Sequence, residues 1–184
     1  FSIAALQLVA LLALVAPMTG AAEDQASPSK FSTQGLRLNG VGVRKVTIFS
    51  FRAYVAELYL EHRPNAAQQI LADPGAKRLV LVFTRNVSAE RLYAGCAEGL
   101  AENVLDYQRY AEQLKQLHAI IPDVAEGDRL EVLFQADSAT LINQQGQEST
   151  IRAPGFGPAL LAIWLGPNPA DERLKAGLLG SQGN

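Results

Sequence analysis

What most constrains the fold of this chain is the order in which its hydrophobic patterns change. Runs rich in β-branched and aromatic residues come first: "LRLNGVGVRKVTIF" and "RAYVAELYLE", then, after the short helix-like "NAAQQILAD", the strongly apolar "KRLVLVFT". "SAERLYAGCAEGLAENVL" switches to helical spacing, with Ser88 placed to cap it and Glu90 in the first turn, where the helix dipole favours a carboxylate. "DYQRYAEQLKQLHAI" continues as a second amphipathic helix. Strand patterns then return in "DRLEVLFQ" and "ATLINQ", the second turning through "QGQ" into "ESTIRA", with Gly146 free to take an unusual backbone angle. "GFGPALLAIWLG" reads as an apolar helix and "PNPADERLKAGLLG" as a closing one, with Asn168 as cap, Pro169 in the first turn, Asp171 and Glu172 next, and Gly180 as the stop. Strands first and last, with helices grouped between and after, predict an α+β fold on a large, mainly antiparallel β-sheet packed with a layer of helices, rather than a βαβ array. A chain of 184 residues fits one such domain.

The N-terminal "IAALQLVALLALVAP" is an uncharged apolar run followed by the small residues of "MTGAAEDQ", the pattern of a secretory h-region and cleavage site. Pro17 and Gly20 end the run before the roughly 20 apolar residues a spanning helix needs. The expected division is therefore 1–22 signal peptide, lacking its own N-terminal part, 23–32 tether, 33–180 domain and 181–184 tail. Cleavage near Ala21 or Ala22 would leave a periplasmic or secreted protein without a stable transmembrane anchor. A net charge of -2 gives no reason to expect nucleic acid as a partner. One cysteine cannot form an internal disulfide, and Cys96 falls in the series Leu92, Cys96, Leu100, Val104, so it is read as a small apolar residue of a helix.

Familiar catalytic signatures do not occur. His62 and His118 are far apart, with no Cys, Asp or Glu at a metal-ligand spacing, so no metal and no cofactor are expected. Neither a G-x-S-x-G elbow nor a phosphate-cradling G-x-x-x-x-G-K-S/T is found, and the glycines of "NGVGVR" lead into a strand rather than a helix.

Arg44 and Tyr54 have the same strand parity, yet ten residues on one straight strand span roughly 33 Å, too far to share a ligand. If the chain reverses around Phe49, positions 44 and 54 pair across two strands and their Cβ atoms lie about 5 Å apart on one face. "TIFSF" holds no Gly, Pro or Asn to mark that turn; only Ser50 hints at it. So paired, a forked guanidinium and a phenol would converge on a carboxylate or an enolate oxygen. The residues alone leave open an exposed Arg44 and a Tyr54 half-buried for packing.

"GVGVR" followed by "YVAELYLE", then "KRLVLVFTRNVSAERL" and "ALLAIWLGPNPADERLKAGLLG", together resemble the chalcone isomerase superfamily in its bacterial, exported branch, over about residues 33–180. The resemblance implies the chalcone isomerase-like fold, an open-faced sandwich with a ligand cleft between sheet and helices. It also implies that Arg44 matches the cleft-facing arginine of that family. Tyr54 falls where chalcone-cyclising members have a threonine and fatty-acid-binding members have a tyrosine that joins the arginine on the carboxylate. The enzymes' helical Tyr, Lys and Asn fall near Glu90, Tyr93 and Ala97, and a late-helix Ser or Thr near Ile163 and Trp164, so the catalytic set is not reproduced. The expectation is an exported, non-catalytic binder of a small amphipathic or aromatic ligand, an acid such as a fatty acid, held by Arg44 and Tyr54. The alternatives are an intramolecular lyase of chalcone-type substrates using Arg44, Tyr54 and Tyr93, and an envelope interaction factor with a vestigial cleft.

Overall fold

The computed structural model describes residues 35–46, 51–64 and 66–180. The apolar run at 1–22, the tether at 23–32, the turn around Phe49 and the tail at 181–184 lie outside these residues. Along the chain come β1 (Arg37–Val46), β2 (Phe51–Leu60), α1 (Ala67–Ala72), β3 (Lys77–Phe83), α2 (Ala89–Asn103), a 3-10 turn (Tyr107–Tyr110) and α3 (Ala111–Ile120). There follow β4 (Arg129–Gln135), β5 (Ser138–Ile142), β6 (Glu148–Arg152), α4 (Phe156–Leu165) and α5 (Glu172–Leu178). The strands form one six-stranded sheet in sequence order, antiparallel throughout, which is the α+β architecture expected from the pattern.

Period-two alternation sorts the sheet into two faces. Ala56, Leu58 and Leu60 of β2 line up with Leu81, Leu79 and Lys77 of β3, and these in turn with Leu130, Val132 and Phe134 of β4. All are buried, and the apolar ones form the core beneath the helices. Lys77 belongs there because its ammonium turns back to the loop after α1, donating to the carbonyls of Asp73 at 2.5 Å and Gly75 at 2.7 Å. On the opposite face, Glu131 accepts from Arg78 and Arg129, and Tyr59 donates to Glu57. This polar lattice flanks Val80, whose register partners are Glu57 and Glu131.

Helix α4 is apolar on every side and almost wholly buried, as a helix between a sheet and other helices must be. Ser88 caps α2 through its Oγ, which accepts from the Arg91 amide. The second helical segment is split, a 3-10 turn preceding α3. The closing helix starts later than the sequence pattern indicates. Asn168 is not its cap, and Pro169 lies ahead of it. Asn168 is committed to the end of α2, exchanging bonds with Asn103 and donating to the Glu102 carbonyl. Asp171 caps α5 instead, its Oδ1 accepting from the Arg173 and Leu174 amides. Gly146 takes the positive φ read from the sequence, and Gly180, read as the stop of the last helix, also has a positive φ.

The glycines of "NGVGVR" serve packing. Helix α5 crosses β1 so closely that a Cβ on Gly177 would lie 2.8 Å from the Gly42 Cα, and one on Gly40 would meet the backbone of residues 177 to 180. Asn39 Nδ2 donates to the Leu178 carbonyl at 2.8 Å, and the Lys45 amide donates to Asp171 Oδ2 at 3.3 Å. The last helix thus clamps the first strand at both ends of the crossing.

Candidate ligand-binding cleft

β1 and β2 pair with Arg44 opposite Tyr54, the register that a reversal near Phe49 predicts. One step on, Lys45 pairs with Arg52, leaving Ala53 without a partner on β1. On its β3 side the carbonyl of the bulged Ala53 still accepts from the Thr84 amide at 3.1 Å. Bulges of this kind re-aim side chains beside binding sites. On its other side Tyr54 pairs with Phe83, and the two rings meet edge to face at 5.7 Å.

Above this corner, between the sheet and the layer of α2, α3 and α4, lies a cavity of about 310 Å³, within the size range of small-molecule sites. Its wall is mainly apolar: Leu81 and Phe83 from the sheet, Leu92 from α2, Leu117 from α3, and Leu160 and Ile163 from α4. Among the described residues the charged groups lining it are Arg44, Arg85 and Arg91, and no carboxylate is among them. Arg44 is half-buried, and among the described residues no acidic side chain is within ion-pairing distance of it. Asp171, the nearby acid, has turned its oxygens to backbone amides.

The Tyr54 hydroxyl accepts from Trp164 Nε1 at 3.1 Å. Burial pushes this phenol up to about 12, the Trp164 bond and the neighbouring Arg44 charge only partly opposing it. It therefore carries its proton at any physiological pH. Cys96, on the cavity wall, has its thiol pushed up to about 12 by burial and is likewise neutral. At its polar end the cavity presents a guanidinium and a protonated phenol, both able to donate.

Tyr93 is placed elsewhere. Its ring stacks on His118 of α3 with centroids 4.1 Å apart, and His118 Nε2 lies 3.0 Å from the Glu90 carboxylate. Glu90 and Tyr93 thus fasten α2 to α3, and neither of them nor Ala97 lines the cavity. Sequence reasoning did not place Arg85 and Arg91 at the cleft, nor the Trp164 bond. The available signal for Trp164 was a sole tryptophan in an apolar helix, since a buried indole N–H needs an acceptor. Among the described residues no three His, Cys, Asp or Glu side chains gather as a metal ion would require, and no helix is long and apolar enough to cross a membrane.

A model of the family described as chalcone isomerase-like matches residues 20–180. No curated protein sequence matches the chain. Among solved structures, that of an Arabidopsis thaliana fatty-acid binding protein is similar, with a TM-score of 0.62 and 12% identity, over 83% of this chain and 90% of that one. At that identity the likeness is one of fold.

Proposed function

The chain belongs to the chalcone isomerase-like family, and from that premise we propose that it is a non-catalytic binder that holds an amphipathic acid, such as a fatty acid, in the cleft. The observation carrying this reading is the half-buried Arg44, which has no acidic partner among the described residues, paired with a protonated Tyr54 at the end of an apolar cavity. An unpaired charge in such a place costs free energy unless a ligand compensates it. The fatty-acid binding protein of the same fold supports the same class of ligand. In this reading the signal-like N-terminus directs the protein to the cell envelope.

Magnitudes divide the labour between head and tail. A hydrogen bond to a charged group contributes about 1.5–3 kcal/mol net. Burying the chain contributes about 0.8 kcal/mol per CH₂ before association costs. The tail sets affinity, and Arg44 selects the head group. Holding is favoured over turnover because the groups at the family's helical positions, Glu90 and Tyr93, face α3. Tyr54, at about 12, is too weak an acid to move protons readily near neutrality.

The test uses Trp164, the sole tryptophan and part of the cavity wall, as the reporter. Dodecanoate titrated into delipidated protein should saturate its fluorescence change, and Arg44→Gln should weaken binding about 10- to 150-fold. Equal affinity in the variant would sink the proposal. Consumption of a chalcone above its spontaneous closure would establish the isomerase reading instead.

A further inference from the structure

The polar end of the cavity contains one bond that an anion site does not by itself require. Trp164 Nε1–H, on the buried α4, donates to Tyr54 Oη at 3.1 Å across 110 residues of sequence. A phenol has a single proton to give and accepts through its oxygen. With the indole on the oxygen, the role left to Tyr54 toward the cavity is that of donor. Arg44, its partner across the strands, can only donate. The thiol of Cys96 is held neutral and is a weak acceptor. Among the described lining residues the side-chain amide of Asn86 has its Oδ1 already accepting from the Glu126 amide, so a head group between Arg44 and Tyr54 meets two donors.

Resting on the acid-binding reading above, we propose that Trp164 is a positioning residue that sets head-group selectivity. By holding Tyr54 as a one-way donor, it makes the cleft take head groups that only accept, such as carboxylates, and disfavour neutral head groups that must also donate, such as the alcohol of the same chain. An alcohol between Arg44 and Tyr54 accepts from both but strands its own proton. A carboxylate has no proton to strand. Removing the indole N–H frees the phenol oxygen to accept, and the discrimination that depends on it disappears.

Calorimetric titration with dodecanoate and dodecanol, on wild type, Trp164→Phe, Tyr54→Phe and the double variant, tests this. Phenylalanine keeps a ring against the wall and deletes the donor. The acid-to-alcohol affinity ratio should fall about tenfold in Trp164→Phe, the worth of one stranded donor. It should fall no further when Trp164→Phe is added to Tyr54→Phe. A merely structural role would weaken both ligands alike and leave the ratio unchanged, and that result overturns the proposal. So does a ratio that still falls in the Tyr54→Phe background. The wild-type protein gives an independent reading, because its one indole N–H signal in a nitrogen-15 spectrum belongs to Trp164. That signal should stay protected from solvent exchange when dodecanoate binds, and loss of protection refutes the role whatever the variants do. A wild type that binds neither ligand overturns the acid-binding reading itself, whereas one that binds acid with an insensitive ratio overturns only the role of Trp164.

Discussion

Two glycines one turn apart in α2 isolate the packing between α2 and α4. Gly95 and Gly99 both lie in the interior of the helix, and replacing either by Ala gains about 0.8–1.0 kcal/mol of helix propensity. Their surroundings differ. A Cβ at position 95 meets nothing within 4 Å, whereas one at position 99 comes to 2.8 Å from Ile163 Cγ2 and 3.3 Å from its Cγ1. Carbon atoms rest comfortably about 3.5–4.0 Å apart. Ile163 cannot easily swing away, being β-branched and only 3% exposed. The two helices must therefore separate, an overpacking cost of about 1–3 kcal/mol. Gly95→Ala should stabilise the protein by about 1 kcal/mol, and Gly99→Ala should be neutral to about 2 kcal/mol destabilising. The propensity gain cancels in the comparison, leaving the packing term. At about 2–4 °C per kcal/mol for a domain of this size, Gly95→Ala should melt about 2–4 °C above wild type and Gly99→Ala about 2–12 °C below Gly95→Ala. Scanning calorimetry on delipidated protein measures both. Equal rises in Tm would refute the close approach of α2 to Ile163.

Alkaline titration should expose the two partly buried acids of the cavity. Tyr54 and Cys96 are raised by burial from 10.0 and 9.0 to about 12, so the unfolded chain loses these protons first and the native state holds more protons in between. Their contribution is full below pH about 9 and is lost as pH rises towards about 12; urea midpoints should fall across that window, less steeply in Cys96→Ala. Lys77→Met keeps the volume but deprives the Asp73 and Gly75 carbonyls of their donor, and should cost about 1–3 kcal/mol in urea unfolding, with α1 losing hydrogen-exchange protection. Asp171→Ala removes the cap of α5, about 0.5–2 kcal/mol, and also the partner of the Lys45 amide. Because Lys45 follows Arg44, this variant should weaken dodecanoate binding as well as lower Tm, and loss of stability alone would contradict the coupling.

The parts of this architecture that were legible in the sequence are those governed by local period. Strand parity made the pairing of Arg44 with Tyr54 conditional on a reversal at Phe49 that no turn residue marked, and nothing in "FRAYV" announces that Ala53 bulges. Tyr93 shows the limit of a helical position judged by alignment. It follows Leu92, which faces the cavity, but one residue turns about 100° around a helix, and Tyr93 faces α3. The cap of α5 was misplaced because Asn168 and Asp171 are both good capping residues, and the choice is made by Asn103, a residue 65 positions away. The glycines of "NGVGVR" look like a loop signal until α5 returns to lie on them, and the Trp164 bond spans a similar distance in sequence.

That return has a consequence in time. The bonds that clamp β1 under α5 join residues 126 and 139 positions apart. At about 5–20 residues per second of synthesis, the strand carrying Arg44 waits roughly 6–28 s before the helix that will hold it exists. Until then β1 is the edge strand of the sheet, held by β2 alone and without the helix that packs on Gly40 and Gly42. The corner that pairs Arg44 with Tyr54 thus becomes rigid only after α5 has been made, although its own residues are made well before that helix. A fatty acid captured there would act as a seal on a finished chain, since an incomplete one has the arginine but not the helix that steadies its strand.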